Sequence, residues 1–338
     1  MNGILVIRKP RGMTSHDVVA TVRRILRQRR VGHTGTLDPD VAGVLVLCLG
    51  SATRLVPYME EHLKGYLGEL WLGRSTDTQD ASGKVLEEDR GFSLTDADLE
   101  QAFSAFQGEI QQVPPMVSAL KHKGQRLYAL ARQGKVVERK PRPVTIYQLS
   151  FVGDWQKGSW CFGDTVCFDV VCSKGTYIRT LCQDIGSYLG VPAHMSSLIR
   201  TKVGPWSLAD GITLDKLQET VGDGRSDQIP STESPGLPGF FPMDWGIRHL
   251  SGAVITQEAT RQVRHGVPAK RDQVVEIRDS EKASLETTGK GWTDAEGSEE
   301  LLRIYDLDGE FLGIGRWKDV MGEWQLQPVR LLPWESDR

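Results

Sequence analysis

The sequence has no long apolar run, and this absence argues against a helical membrane protein. Its longest such run, Val41 to Leu49, has nine residues and contains Gly43, whereas a membrane helix needs about 20. The apolar patch Ile4–Ile7 is too short for a secretion signal and has no basic region before it. We therefore expect a soluble, cytoplasmic protein without a membrane partner.

Cysteine is scarce, and its spacing argues against the common cysteine frameworks. The five cysteines, an odd number, include no Cys-x-x-Cys pair, so neither a zinc site nor a disulfide framework is indicated. The Gly-x4-Gly-Lys-Ser/Thr pattern of phosphate-binding loops is also absent. We expect buried, reduced thiols and a protein without a metal or another cofactor.

The chain also lacks an overall basic excess, because 41 basic and 44 acidic residues give a net charge of −3. This average conceals two basic segments, 8–30 and 121–142, each with eight Lys or Arg against one acidic residue. The two segments carry +14 together, so the rest of the chain carries −17. Such a distribution predicts a footprint for a polyanion, although two solvated helix faces would give the same pattern.

Strand and helix signals without a regular βαβ rhythm predict an α+β protein with a mixed, antiparallel-rich sheet. The length of 338 residues and the 39% apolar share are typical of about two globular domains. Helix spacing and cap motifs predict helices at 15–30, 95–108 and 177–190. Runs of β-branched and aromatic residues predict strands at 65–72, 144–152 and 165–172.

A stretch rich in Gly, Pro and Ser divides the chain. We predict a first domain over 1–215, a linker over 216–240 and a second domain over 241–335. In the second domain, a helix signal at 256–265 and several short strands with Gly turns predict a small β-barrel. The acidic segment 279–300 has few apolar residues, and we expect it to be a mobile insertion.

The loop Gly32-His33-Thr34-Gly35-Thr36-Leu37-Asp38-Pro39-Asp40 stands out as a candidate for chemistry. Its two glycines permit a close backbone approach, and Pro39 restricts the backbone of Asp38. A fixed carboxylate with His33 nearby suits a nucleophile or a general acid–base group. A plain turn aspartate and a metal site without a convincing third ligand are the alternatives.

Six ordered motifs carry a family resemblance. They are Lys9–Ser15, Gly32–Pro39, Lys64–Asp80, Gln112–Lys121, Ser173–Thr180 and His194–Pro205. Each motif is weak alone, but chance does not place six of them in order over residues 3–212. On these motifs the chain closely resembles the TruB family of tRNA pseudouridine synthases, which isomerise uridine 55 in the T loop of tRNA.

The resemblance implies a pseudouridine-synthase catalytic domain with a mixed, antiparallel-rich sheet, followed by a small barrel-like, PUA-like RNA-binding domain. It also implies that the N1–C1′ bond is broken and that the flipped uracil is rejoined through C5, without redox change or metal. Asp38 matches the catalytic aspartate of the family. The sequence leaves open whether it acts as a nucleophile or stabiliser at C1′, or removes the C2′ proton.

The resemblance also implies roles for the residues around the flipped base. His33 looks like the residue that takes the place of that base in the RNA stack. Tyr66 matches the tyrosine that stacks on the base, and Tyr177 and Leu198 match positions that line the uracil pocket. Arg179 matches the partner of the catalytic aspartate, which it is expected to hold ionised through a bidentate contact.

Three further implications concern the surroundings of the pocket. Asp80 matches a second acid of the family, with Asp77 as its nearest rival, and a turn or cap role stays open for either. Lys9 resembles a motif lysine that supports a loop or contacts a phosphate. The basic stretch within about 112–143 corresponds to a mobile insertion that clamps the T arm through phosphate contacts.

The implied partner is tRNA, bound by a protein that we expect to be monomeric. Two other hypotheses compete with the stand-alone enzyme. One is a guide-RNA-dependent enzyme on the same scaffold, against which the length of the chain and the lack of long basic tails count. The other is an RNA-binding or chaperone protein that does not isomerise, which would have no need of the carboxylate of Asp38.

Overall fold

The computed structural model of the protein describes residues 1–60, 62–118, 120–222, 237–280 and 300–333. Much of the predicted linker and nearly all of the acidic segment 279–300 lie outside the described residues. None of the described helices is long and apolar enough to cross a membrane.

Strands and helices mix along the first and larger part of the chain, as the sequence predicts. Its strands are β1 (Gly3–Lys9), β2 (Val31–His33), β3 (Ala42–Leu49), β4 (Lys64–Leu72), β5 (Arg74–Thr76), β6 (Val85–Glu88), β7 (Gly108–Gln112), β8 (Lys121–His122), β9 (Gln125–Arg126), β10 (Arg142–Phe151), β11 (Thr165–Cys172), β12 (Ala193–Val203), β13 (Trp206–Ser207) and β14 (Phe240–Phe241). Its helices are α1 (Ser15–Ile25), α2 (Val56–Met59), α3 (Asp96–Ala105), α4 (Leu127–Arg132), α5 (Ile178–Leu189) and α6 (Leu214–Val221).

One large sheet organises this part, in the order β14-β1-β3-β12-β4-β11-β10-β7, with β13 beside β12 and β2 beside β3. Strand β12 runs parallel to β3, and the other pairings shown within this sheet are antiparallel. The predicted α+β class and the mixed, antiparallel-rich sheet are therefore confirmed.

Both faces of β1 are covered by apolar side chains. Leu5 and Ile7 belong to the cluster on one face, and Ile4 and Val6 belong to the cluster on the other. Strand β3 alternates between the same two clusters, which explains why its sequence is a nearly continuous apolar run. The candidate loop is thus anchored by a buried strand.

Capping boxes fix the starts of α1 and α3, as the sequence predicts. The pairs are Thr14 with Asp17 and Thr95 with Asp98. The predicted end of the first helix at residue 30 is wrong, because α1 ends at Ile25. Arg27 adopts a left-handed φ of 48°, and the chain turns so that Val31 can begin β2 beside Leu49.

The second part contains a smaller sheet and one helix of eight residues. Its elements are β15 (Ser251–Ile255), α7 (Gln257–Arg264), β16 (Ala269–Lys270), β17 (Val274–Arg278), β18 (Leu301–Tyr305), β19 (Phe311–Val320) and β20 (Glu323–Leu331). The strand order is β16-β20-β19-β18-β15-β17. The closed barrel and the domain limits stay predictions.

The two parts share apolar packing near the predicted boundary. Strand β14 lies at the limit between the predicted linker and second domain, and it pairs with β1 of the large sheet. Ile247 and Ile314 of the second part are buried in the same cluster as Ile4 and Val6. The second part is therefore packed directly against the sheet that carries the candidate site.

Candidate active site

The loop over residues 34–40, which we call the aspartate loop, joins β2 to β3 and is held by buried groups. Ser15 Oγ accepts a hydrogen bond from the Leu37 N–H at 2.8 Å and donates to the Leu37 carbonyl at 3.2 Å. Lys9 Nζ donates to the Pro39 carbonyl at 3.1 Å. Asp38, between these two anchored residues, is presented on a fixed loop, as the sequence predicts.

The carboxylate of Asp38 remains accessible although its surroundings are largely buried. Its side chain is 44% exposed, and its Oδ2 lies 3.1 Å from Arg179 Nε. Desolvation raises the pKa of Asp38 above its ordinary value, whereas the charge of Arg179 lowers it and that of Asp80 raises it further. The charge of Arg179 favours the ionised carboxylate, but desolvation outweighs this effect, and the role of Arg179 in holding Asp38 ionised stays a prediction.

Arg179, in the first turn of α5, is buried and distributes its guanidinium over several oxygens. Nη1 donates to the Thr78 carbonyl at 3.0 Å, and Nη2 donates to the Val117 carbonyl at 2.8 Å. Nη1 also lies 3.5 Å from Asp80 Oδ2. The predicted bidentate contact with Asp38 is wrong, because the ion pair runs through Nε while the terminal nitrogens face these other oxygens.

The structure separates the two rival acids. Asp80 Oδ1 accepts from the Ser82 hydroxyl at 2.6 Å, while its Oδ2 faces Arg179. Asp77 Oδ1 instead accepts from the Lys84 N–H at 2.8 Å, across the turn between β5 and β6. Asp80 is thus the acid beside the arginine, and Asp77 stabilises a turn.

Strands β4 and β12 bring two of the predicted pocket residues to one face of the sheet. Tyr66 lies opposite Arg200, and Leu198 lies opposite Gly68, two positions along the same pair of strands. Both Tyr66 and Leu198 are buried. Burial raises the pKa of Tyr66 to about 12, and the charge of Asp38 makes a smaller contribution in the same direction.

Tyr177 precedes α5, and its backbone is clamped by a residue to which the sequence assigns no role. Gln112, buried at the end of β7, accepts from the Tyr177 N–H at 2.7 Å and donates to the Tyr177 carbonyl at 3.0 Å. Burial raises the pKa of the Tyr177 phenol, and the charge of Asp38 adds to this shift. Gln112 therefore helps to place both Tyr177 and Arg179.

His33 and Lys9 flank the aspartate loop. His33 ends β2, is half-buried, and meets the ring of His16 edge to face at 5.6 Å between centroids; burial lowers its pKa. Lys9 is 1% exposed and also donates to the carbonyls of Pro10 and Met13, and desolvation lowers its pKa to about 8. For Lys9, this geometry favours loop support over phosphate contact.

The basic segment 121–142 begins close to these residues. Strands β8 and β9 form a hairpin, α4 follows, and Val117 just ahead of the hairpin accepts the hydrogen bond from Arg179. Basic side chains of both segments are largely exposed, among them Arg11, Arg23, Arg24, Arg27, Arg29, Arg30, Lys123, Arg126, Arg132, Lys135, Lys140 and Arg142.

The described residues thus assemble an accessible, ion-paired carboxylate with the buried ring of Tyr66 and the half-buried ring of Tyr177. Within the described ranges, no group of three His, Cys, Asp or Glu side chains is placed to hold a metal ion. An ionised carboxylate in this setting can act as a nucleophile or as a base. The neighbouring rings suit a flat substrate.

Comparison with protein families agrees with this geometry. The model of the TruB family pseudouridylate synthase N-terminal domain matches residues 23–178, and that of the tRNA pseudouridylate synthase B C-terminal domain matches residues 179–229. The tRNA pseudouridine synthase B of Halalkalibacterium halodurans is 45% identical over 269 residues, which cover 79% of this chain and 84% of the relative. The chain belongs to the TruB family.

Further similarities support the TruB assignment and the fold. The tRNA pseudouridine synthase B of Geobacillus kaustophilus is 41% identical over 297 residues, covering 86% of this chain and 99% of the relative. A chain in the archaeal box H/ACA sRNP Nop10–Cbf5 complex matches with a TM-score of 0.67 at 24% identity, over 98% of this chain and 86% of that chain. A chain in a Cbf5–Nop10–Gar1 complex matches with a TM-score of 0.68 at 26% identity, over 97% and 84%. The mixed α+β pseudouridine synthase fold is thus shared.

Proposed function

We propose that this TruB-family chain isomerises uridine to pseudouridine at position 55 in the T loop of tRNA. The observation that carries the proposal is the Asp38 carboxylate, 44% exposed on an anchored loop and paired with Arg179 at 3.1 Å. Family membership supports the same activity, because relatives at 45% and 41% identity are named tRNA pseudouridine synthase B.

The proposed reaction breaks the N1–C1′ bond and forms a C5–C1′ bond within one nucleoside. N1 gains a proton and C5 loses one, so the base is turned without any change in composition or oxidation state. Asp38 acts at the sugar, either at C1′ as a nucleophile or stabiliser, or at C2′ as a base. Because Oδ2 faces Arg179, we assign Oδ1 to the substrate, and the proposal includes no cofactor or metal.

The target base has to leave the RNA stack before it can reach Asp38, which costs a few kcal/mol. In the proposal, Tyr66 stacks on the flipped base, which contributes about 1–3 kcal/mol. Tyr177 and Leu198 line the rest of the uracil pocket, and His33 fills the gap in the RNA. The burial of Tyr66 and Leu198 and the effect of the Asp38 charge on the pKa of Tyr66 and of Tyr177 support the roles of these three residues.

The exposed basic side chains of segments 8–30 and 121–142 form the proposed tRNA footprint, with the buried Lys9 left out. Phosphate contacts of this kind position the RNA without specifying the base. We further propose a catalytic domain over 1–215 with a T-arm clamp at about 112–143, a linker over 216–240 and a PUA-like barrel over 241–335. The protein is proposed to be a cytoplasmic monomer.

The affinity for tRNA should fall steeply with rising salt, because each phosphate that Lys or Arg neutralises releases counterions. Replacing Arg24 and Arg27, both exposed, with glutamine should flatten the slope of log affinity against log salt by about 0.7–0.9 for each lost contact. Filter binding over a salt series measures the slope. Arg90→Gln, a substitution outside both segments, should keep the wild-type slope. If the tRNA affinity of the wild-type protein does not change with salt concentration, the proposed tRNA footprint is wrong.

Tritium release from T-arm RNA labelled at C5 of uridine tests the proposed activity, because rejoining at C5 frees that hydrogen. We expect at most one equivalent of tritium per RNA, and none from RNA that carries cytidine at position 55. Tight binding without release would contradict the proposal and favour an RNA-binding or chaperone protein. Release that requires an added guide RNA would favour the guide-dependent hypothesis.

A further inference from the structure

A fully buried arginine on β12 contacts both the aspartate loop and Tyr66. Arg200 is 1% exposed and lies directly opposite Tyr66 on β4. Its Nε donates to the Val44 carbonyl at 2.8 Å, Nη2 to the Gly35 carbonyl at 3.2 Å and Nη1 to the Thr36 carbonyl at 3.4 Å. The Tyr66 side chain is its cross-strand neighbour on the same face of the sheet, and the charge of the guanidinium lowers the pKa of the Tyr66 phenol, although burial raises it more.

Filling space in the core does not explain why a charged side chain is buried at position 200. A buried charge costs several kcal/mol unless its surroundings satisfy it, and an apolar side chain of similar volume often stabilises a core as well or better. What an apolar residue cannot supply is a planar set of donors that reaches three backbone carbonyls at once. The hydrogen bonds of Arg200 are therefore the feature that distinguishes it from a core residue.

The backbone around Arg200 is shaped for this contact. Gly43 at the start of β3 has a φ of 121°, which favours glycine, and a Cβ there would lie 2.2 Å from the Arg200 carbonyl oxygen. Strands β3 and β12 can therefore approach closely at this point. This close approach places Nε of Arg200 beside the Val44 carbonyl and its two terminal nitrogens beside the aspartate loop.

We propose that Arg200 is a positioning residue of the isomerisation, which fixes the Asp38 loop relative to the ring of Tyr66. The inference rests on the proposed function. Ser15 and Lys9 hold the same loop at Leu37 and Pro39, whereas Arg200 holds the loop and the ring with one rigid group. Arg200 thus determines the position of the Asp38 carboxylate, whereas Arg179 affects the protonation of that carboxylate.

The test is Arg200→Lys, which keeps the charge but loses the planar set of donors. We expect the single-turnover rate of tritium release to fall by about 100-fold, the effect of a small misplacement of a reacting group, with tRNA affinity within threefold of wild type. The acid limb of the pH–rate profile should not move, because Asp38 keeps Arg179. A wild-type rate, or a displaced acid limb, would overturn the positioning role.

Arg303→Lys is the matched control for the structural cost of the substitution. Arg303 is also buried, and it donates to the Leu250 carbonyl and to the Tyr305 hydroxyl in the second part of the chain. We expect the two variants to lose similar thermal stability but only Arg200→Lys to lose rate. Equal loss of rate in both variants would show a general folding defect and overturn the proposal.

Tyr66→Phe removes the phenol hydroxyl from the side chain that lies across the strand pair from Arg200, so it tests the inference even if Arg200→Lys does not fold. It keeps the aromatic ring and is expected to release tritium about tenfold more slowly at unchanged tRNA affinity. An unchanged rate in Tyr66→Phe would contradict the proposal that Arg200 fixes the aspartate loop relative to the ring of Tyr66. Wild-type protein assayed alongside separates the hypotheses, because failure of wild type to release tritium refutes the proposed function itself.

Discussion

Asparagine in place of Asp38 is expected to lower the rate of tritium release by more than about 1000-fold, within the range for loss of an acid–base group. Binding of tRNA should stay within about tenfold of wild type, or ~1.4 kcal/mol. The amide has the same shape as the carboxylate, and Ser15 and Lys9 still hold the neighbouring residues Leu37 and Pro39, so the aspartate loop should keep its position. What it lacks is the negative charge that each proposed role of Asp38 requires.

The measurement compares single-turnover release with filter binding on the same labelled T-arm RNA. Asp77→Asn is the matched control, because Asp77 sits in a nearby turn and its Oδ1 accepts from the Lys84 N–H. That variant is expected to keep the rate within about threefold, as for a surface substitution. Loss of tRNA binding in Asp38→Asn would instead make Asp38 a structural residue of the loop, against our proposal.

Local signals in the sequence were sufficient to predict the helices α1, α3, α5 and α7 and the strands β4, β10 and β11. Cap motifs such as Thr14–Asp17 act over four residues, so the start of α1 can be predicted from sequence alone. The apolar run that forms β3 likewise signals a strand covered on both faces. The end of α1 could not be predicted, because it depends on the pairing of β2 with β3, a contact between distant segments.

Some residues of the candidate site could likewise be predicted from local sequence, and others could not. Asp38 could be recognised because a rigid loop next to a buried strand leaves a pattern in neighbouring residues. Arg200 and Gln112 lie within two of the family motifs, but a single polar residue in a strand usually faces solvent, and only the structure shows that these two are buried. The contacts of Arg179 with the carbonyls of Thr78 and Val117 were equally hidden, because backbone acceptors carry no sequence signature.

Replacing Arg179 with glutamine should lower the rate of tritium release at neutral pH by about 100-fold, because Asp38 loses the cation that favours its ionised form and that helps to hold the reacting group in place. Arg179 is 5% exposed in its side chain and contacts Asp38, Asp80 and two carbonyls. The variant therefore leaves Asp38 without its cation and Asp80 without its partner. Thermal unfolding should be measured in parallel, so that the rate is referred to folded protein.

The pH dependence of the tritium-release rate tests the role of Arg179 most directly. The active species has an ionised Asp38, so the rate falls as pH drops through the pKa of that carboxyl. Desolvation raises this pKa, Arg179 lowers it and Asp80 raises it. Removing Arg179 should therefore move the acid limb to higher pH, whereas Asp80→Asn removes a negative charge and should move it to lower pH.

Damage to the fold would lower the rate at every pH. It would therefore not explain why Arg179→Gln and Asp80→Asn shift the acid limb of the pH–rate profile in opposite directions. Arg179→Lys adds a further check, because the ammonium keeps the positive charge but cannot reach Asp38 and the carbonyls of Thr78 and Val117 at once. Its acid limb should lie near that of wild type while its maximum rate stays low. If the limb instead follows Arg179→Gln, or if Asp80→Asn shifts it upward, the charge balance inferred for Asp38 is wrong.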